Sequence, residues 1–134
     1  MNQDKSWAEL VAEFNTVNDG LAPPKTPVML LLDSFKVQRL RLMMEELGEL
    51  SEAIHQNDTV EIADAIADLL YVVVGTANTY GLTSRLDAIF REVHRSNMTK
   101  TFSGSADGQK GGFKGPGFEK PNIRGILSDG RFDD

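Results

Sequence analysis

Met44-Glu-Glu-Leu-Gly-Glu-Leu-Ser-Glu52 and Glu61-Ile-Ala-Asp-Ala-Ile-Ala-Asp-Leu-Leu-Tyr71 decide how this 134-residue chain is read. The first stretch is acidic, with leucines at helical spacing. The second is apolar, with carboxylates set into it. Carboxylates among apolar residues are costly unless a cation or a proton compensates them. The two stretches read as facing helices that hold divalent metal, with the rest of the chain covering them and bringing a substrate.

The first stretch lies in a long helix expected over residues 34–57. Leu40, Met43, Leu47, Leu50 and Ile54 step by three and four, which predicts one continuous apolar packing seam. Glu45, Glu49 and Glu52 step along the other side, where a solvated acidic face is the plain alternative. Phe35, Leu42 and Ala53 share that side, and no lysine or arginine lies between residues 42 and 57 to relieve Glu45 and Glu49.

The second stretch opens a helix expected over residues 58–80, with Asp58 as N-cap, Glu61 completing a capping box and Gly81 as the stop. Ile62, Ala63, Ile66, Leu69, Leu70 and Val72–Val74 make it apolar almost all round, so it is expected to be central and covered. Glu61, Asp64 and Asp68 fall within roughly 60° of one another on the helical wheel. Three acids then share one narrow face, and Asp68, flanked by Ala67, Leu69 and Leu70, is the least expected of them in a core.

Working outward, Ser6 and Glu9 predict a capping box for a helix over 6–18, with Trp7, Leu10, Val11 and Phe14 as its core stripe. Asp19-Gly20 and Pro23-Pro24-Lys25-Thr26-Pro27 exclude a regular helix over 19–33. A shorter amphipathic helix is expected over 83–98, capped by Thr83 or Ser84, with Leu86, Ile89, Phe90 and Val93 inward. Residues 101–134 hold eight of the twelve glycines, and Asp107 to Phe118 fits no periodic element and no P-loop. Phe113, Phe118, Ile123, Ile126 and Leu127 suggest that part of this tail docks on a surface.

Composition bounds the rest. A single domain over residues 1–134 is expected, a helical bundle over 1–100 followed by a substrate-covering segment over 101–134. The class is all-α, four to five helices. Their apolar faces exceed what one chain of this size easily covers, so burial against a further copy is expected. There is no cysteine, hence no disulfide and no thiolate chemistry. Met1-Asn-Gln-Asp-Lys shows no signal pattern and no run reaches a membrane span, so a cytoplasmic setting without membrane contact is expected. The net charge of −6 excludes a general binder of nucleic-acid polymers.

The carboxylates Glu45, Glu46, Glu49, Glu61, Asp64 and Asp68 are hard oxygen donors that suit Mg²⁺, with Mn²⁺ as a substitute. Zinc is disfavoured without cysteine or a paired histidine motif. A di-iron bundle needs Glu-x-x-His twice, and only Glu52-Ala-Ile-His55 supplies it. An acidic metal cage with a basic segment suits cleavage of a phosphoanhydride. Metals neutralise phosphate oxygens, a spare carboxylate takes a proton from water, and cations elsewhere bind the remaining phosphates.

Glu45-Glu-Leu-Gly-Glu49, Ala67-Asp-Leu-Leu-Tyr71 and Glu92-Val-His-Arg-Ser-Asn-Met-Thr-Lys100 together resemble the MazG-like nucleoside triphosphate pyrophosphohydrolases. These belong to the all-α superfamily that includes dimeric dUTPases and phosphoribosyl-ATP pyrophosphatase, whose helices usually complete their bundle between subunits, which implies a homodimer or a dimer of dimers. Asp107-Gly-Gln-Lys110 and Pro121-Asn-Ile-Arg-Gly125 extend the likeness into the tail. The resemblance implies Mg²⁺-dependent cleavage of the α–β bond of a nucleotide, giving a monophosphate and pyrophosphate. It implies Glu46 and Glu49 as metal ligands, Glu45 as the residue that orients or deprotonates water, and Asp68 as the aspartate of a second Glu-x-x-Asp motif. It implies Asn97 and Lys100 as substrate contacts, and Arg95, Lys110 and Lys114 are candidates for the same role. Ala65 stands where that motif has glutamate. Asp64 is the expected replacement, with Glu61 in reserve. The substrate expected is a nucleoside triphosphate such as dUTP or a non-standard dNTP, with phosphoribosyl-ATP second. Outside enzymes, the alternative is a helical interaction module whose acids form a solvated face.

Overall fold

The computed structural model describes residues 2–103 and 111–128. The chain divides into two compact units, Met1–Ser84 and Arg85–Asp134.

In the first unit a 3₁₀ turn, Asn2–Asp4, precedes α1 (Trp7–Asp19), α2 (Asp33–Gln56) and α3 (Thr59–Thr79). Local chemistry sets each boundary. At Ser6 the capping box is complete: Ser6 Oγ accepts from the Glu9 amide at 3.1 Å, and Glu9 accepts from the Ser6 amide at 2.7 Å. α1 stops at Gly20, in the left-handed region at φ +69°. Asp58 caps α3 by accepting from the Val60 and Glu61 amides. The expected return bond from Glu61 is replaced, because the Asp58 amide donates to the Ala53 carbonyl of α2. α2 and α3 are thus an antiparallel hairpin joined by two residues, Asn57 and Asp58, with Asn57 at φ 55°.

The core of this unit is made of small side chains: Ala8 and Val11 of α1, Ala53 of α2, Ala65 and Val74 of α3. Asn78 is fully buried and joins three segments. Its Nδ2 donates to the Ala8 carbonyl at 3.0 Å, and its Oδ1 accepts from Thr83 Oγ1 at 2.7 Å. The connection between α1 and α2 is anchored where Pro27 is buried and the Val28 amide donates to the Tyr80 carbonyl.

Burial departs from the expectation on three helices. α1 buries Val11 but leaves Trp7 67% and Phe14 49% exposed. The seam on α2 is offset: Arg39 and Ala53 are buried and Met43, Glu46 and Leu50 half-buried, whereas Leu40, Leu47 and Ile54 are open. α3 is not covered all round, since Ile66, Leu70, Tyr71 and Val73 are all more than 40% exposed. The reason is geometric. With α1 and α2 alone packed on it within the unit, α3 has neighbours on part of its circumference only.

The second unit holds α4 (Leu86–Asn97), strands β1 (Thr101–Ser103) and β2 (Gly111–Phe113), and α5 (Ile123–Leu127). α4 is not capped by Thr83 or Ser84. Thr83 is already bonded to Asn78, and Arg85 stands at the cap position without a side-chain bond. The strands pair antiparallel, Thr101 opposite Phe113 and Phe102 opposite Gly112, where no periodic element was expected. Glycine is depleted in strands, which hides β2 in the sequence. Here Gly112 is needed, since a Cβ would lie 2.9 Å from the Phe102 ring and 3.1 Å from Lys100 Cδ. α5 is capped by Asn122, whose Oδ1 accepts from the Gly125 amide.

Candidate metal centre

Glu46 and Glu49 stand one turn apart on α2, and Asp68 faces them from α3. One carboxylate oxygen from each lies within 4.8 Å of the others. Glu49 and Asp68 are exposed and Glu46 is half-buried. Antiparallel packing makes the arrangement: α2 carries its acids toward the hairpin turn, and α3 returns past them.

Glu46 bears the electrostatic load. Its pKa is raised above the ordinary 4.5, first by loss of solvent, then by the charges of Glu49 and Asp68, by the closeness of the Glu49 carboxylate and by Glu45. Its Oε2 is buried with no hydrogen-bond partner among the described residues. A buried carboxylate oxygen of this kind is left unpaired at a cost that a cation removes. Oxygens on opposite sides of one Mg²⁺ lie at most about 4.2 Å apart, so side-chain shifts of under about 1 Å close the cluster around one ion. The donor set and the orphaned oxygen both fit a hard divalent cation.

The other sequence candidates lie elsewhere. Glu45 is exposed and faces Arg41, with Nε 3.8 Å from Oε1. That arginine, one residue before the cation-free run 42–57, partly relieves the acidic charge. Such an exposed pair contributes little to stability. Asp64 and Glu61 are exposed and stand outside the three-carboxylate group. Asp68 is exposed rather than buried, so the desolvated acid is Glu46. Ala65 is buried in the unit's core, 6% exposed.

In the second unit Arg95 is already engaged. Its Nε and Nη2 donate to the two oxygens of Glu92 at 2.9 and 2.8 Å, and Nη1 lies 3.6 Å from Glu119. Glu92 also accepts from the Asn122 amide at 2.8 Å. These bonds, Arg95 first, lower its pKa to about 2, so the clamp stays charged at all biological pH values. Buried Ser96 donates to the Glu119 carbonyl, and Thr99 Oγ1 accepts from the Glu119 amide. Residues 119–122 are therefore docked on α4. Asn97 is exposed and Lys100 half-exposed. Lys114 Nζ sits 5.2 Å from the centre of the Phe118 ring, a cation–π contact. Lys110 lies outside the described residues.

Residues 22–97, more than half of the chain, match the family described as phosphoribosyl-ATP pyrophosphohydrolase. The chain belongs to that family. It is part of the MazG-like all-α superfamily of nucleotide pyrophosphatases, hydrolases that act on phosphoanhydrides. The phosphoribosyl-ATP pyrophosphohydrolase match spans α2, α3 and α4. A stretch of 44 residues is also 48% identical to an uncharacterized protein of Acanthamoeba polyphaga mimivirus, covering 33% of this chain. The chain spans 18% of the length of that relative. No helix among the described residues is long and apolar enough to cross a membrane.

Sequence reasoning missed one residue of the hairpin. Arg39 is buried two turns along α2 from Glu46. The available signal was a spacing of seven: Arg39, Glu46 and Ala53 form one stripe down the helix.

Proposed function

We propose that this chain is a divalent-metal-dependent pyrophosphohydrolase of a nucleoside triphosphate, releasing a nucleoside monophosphate and pyrophosphate. The observation that carries the reading is the gathering of Glu46, Glu49 and Asp68 within 4.8 Å in a chain of this family. One Mg²⁺ is the ion inferred, because three carboxylates without the glutamate replaced by Ala65 suit a single hard cation. When bound, such an ion supplies positive charge to phosphate oxygens and acts as a Lewis acid. Glu46, Glu49 and Asp68 would hold it, and Glu45, next to Glu46 in the chain, would orient or deprotonate the attacking water. The water oxygen bonds to the α-phosphorus, the bridging P–O bond breaks, and pyrophosphate leaves. Asn97 and Lys100 are assigned to substrate, supported by their accessibility. Arg95, held by Glu92, is assigned instead to fixing the 119–122 segment.

Phosphoribosyl-ATP is the second substrate reading, favoured by the description of the matching family. It has the same type of bond to cleave. The test is pyrophosphate release with Mg²⁺ from a panel containing dUTP, the standard and damaged dNTPs and phosphoribosyl-ATP. Release from a triphosphate with EDTA-sensitive kinetics is expected. Release from phosphoribosyl-ATP alone selects the second reading. No release, with no ion-dependent rise in Tm, would instead favour an interaction module, since any ion bound to the native state alone must stabilise it.

We also infer that a second copy of the chain covers the open seam of Leu40, Leu47 and Ile54 on α2 and Ile66, Leu70 and Val73 on α3. Exposed apolar side chains at helical spacing on both packed helices support this reading. Light scattering is expected to give a dimer or a dimer of dimers, and a monomeric mass at micromolar concentration rules the inference out.

A further inference from the structure

Arg39 is the one charged side chain buried among the described residues, 8% exposed. Among the described residues no carboxylate pairs with it. Loss of solvent lowers its pKa, opposed by the field of Asp19. Its bonds all go to α3: Nε donates to Thr76 Oγ1 at 3.2 Å, and Nη2 donates to the Val72 carbonyl at 2.9 Å. Thr76 Oγ1 donates to the same carbonyl at 2.8 Å, so both acceptors are themselves fixed. The guanidinium lies against bare backbone. A Cβ at Gly75 would stand 2.6 Å from Nη2 and 3.5 Å from Val11 of α1.

Stability alone does not account for this arrangement. A buried cation without a carboxylate pays a desolvation cost that an apolar side chain of the same size avoids. What the arginine adds is direction. The buried apolar side chains of α2 and α3 are small, Ala53, Ala65 and Val74, and apolar contact is non-directional. Such side chains key two helices together less firmly than a fixed hydrogen-bonded fork does. A planar fork with two fixed acceptors resists both sliding and splaying of α3.

The location gives the resistance a purpose. The Asn57–Asp58 turn fixes the hairpin at one end, and Arg39 fixes it at the other, two turns beyond Glu46. The acidic cluster lies between the two anchors. A slip of one helical turn moves a residue by about 5.4 Å. That exceeds the 4.8 Å within which the three carboxylate oxygens are gathered.

We propose that Arg39 is a positioning residue for the cluster, holding α3 at the register that sets Asp68 opposite Glu46 and Glu49. This rests on the reading of the cluster as a divalent-cation site. The test is calorimetric Mn²⁺ titration of the full chain, well below its melting temperature, with apo melting curves alongside. The native protein binds Mn²⁺ and Asp68→Asn does not. Arg39→Met melts at or above the native temperature without metal, yet binds Mn²⁺ about tenfold or more weakly, as loss of an orienting residue does. Thr76→Val, which keeps the cation but removes the acceptor of Nε, weakens Mn²⁺ in the same direction and serves if Arg39→Met does not fold. Native Mn²⁺ affinity in Arg39→Met, or in Thr76→Val where that variant stands in, overturns the proposal while leaving the metal reading intact. A native protein that binds no Mn²⁺, or an Asp68→Asn variant that binds it as tightly, overturns both.

Discussion

Asp68→Asn is expected to lose divalent-ion binding and at least about 100-fold in kcat/KM, ~2.7 kcal/mol of transition-state stabilisation, while the fold persists. The change replaces one of three clustered carboxylates by a neutral amide and removes one of the charges that raise the Glu46 pKa. The sign on stability follows from that shift. A carboxyl whose folded pKa lies above its unfolded value retains a proton longer in the native state. Its contribution is fully present below 4.5 and is lost as pH rises through the raised value. The metal-free native protein therefore melts at lower temperature as pH climbs through that window. Asp68→Asn flattens the decline, because Glu46 then ionises with less opposition. Added Mg²⁺ restores stability to the native protein at neutral pH and not to the variant. Melting curves across pH, with EDTA or Mg²⁺, measure all three effects. Collapse of Asp68→Asn in metal-free buffer would instead identify a structural ion pair.

Gly81→Ala is expected to destabilise the fold by roughly 3 kcal/mol, on the order of 10 °C in Tm. Two costs add. Gly81 has φ +73°, where any L side chain is strained by about 1–2 kcal/mol. The new Cβ would also run into the Thr26 carbonyl. That carbonyl cannot swing aside, because Pro27 next to it is buried and the Val28 amide is bonded to Tyr80. Gly20→Ala is the internal control. Gly20 has φ +69° with nothing within 4 Å of a Cβ, so only the backbone cost applies. Urea unfolding of both variants separates the terms, and equal losses would remove the Thr26 contact from the account.

The helices were legible where their ends are decided locally. Ser6 with Glu9, and Asp58, act within one turn of themselves, and the structure places both caps as the sequence predicts. α4 was misread at its start because Thr83 is drawn away by Asn78, five residues back in the preceding helix. The packing face of α2 was misread for a related reason. Leucine spacing marks a seam but not its partner, and the side facing α3 runs through Arg39 and Glu46 instead.

Within the site, residue type offered six acids, Glu45, Glu46, Glu49, Glu61, Asp64 and Asp68, and the resemblance pointed to Glu46, Glu49 and Asp68, the three that the structure gathers. The wheel could not separate Asp64 from Asp68. They share a face but differ by about 6 Å along the axis, and depth along the axis is set by antiparallel register, which periodicity does not contain. Burial was assigned to the wrong acid for the same reason. Asp68 has apolar neighbours in sequence, whereas Glu46 has α3 across from it in space.

The two-residue link between α2 and α3 bears on folding kinetics. All three clustered carboxylates and the Arg39 fork lie within residues 33–79, on one helical hairpin. Contacts beside the turn close with little loop entropy, whereas Arg39 lies 33 and 37 residues from its acceptors and closes only after the hairpin has zipped outward from the turn. An ion bound between those two ends would act only once the zipping has reached it, and is expected to slow unfolding more than it speeds folding.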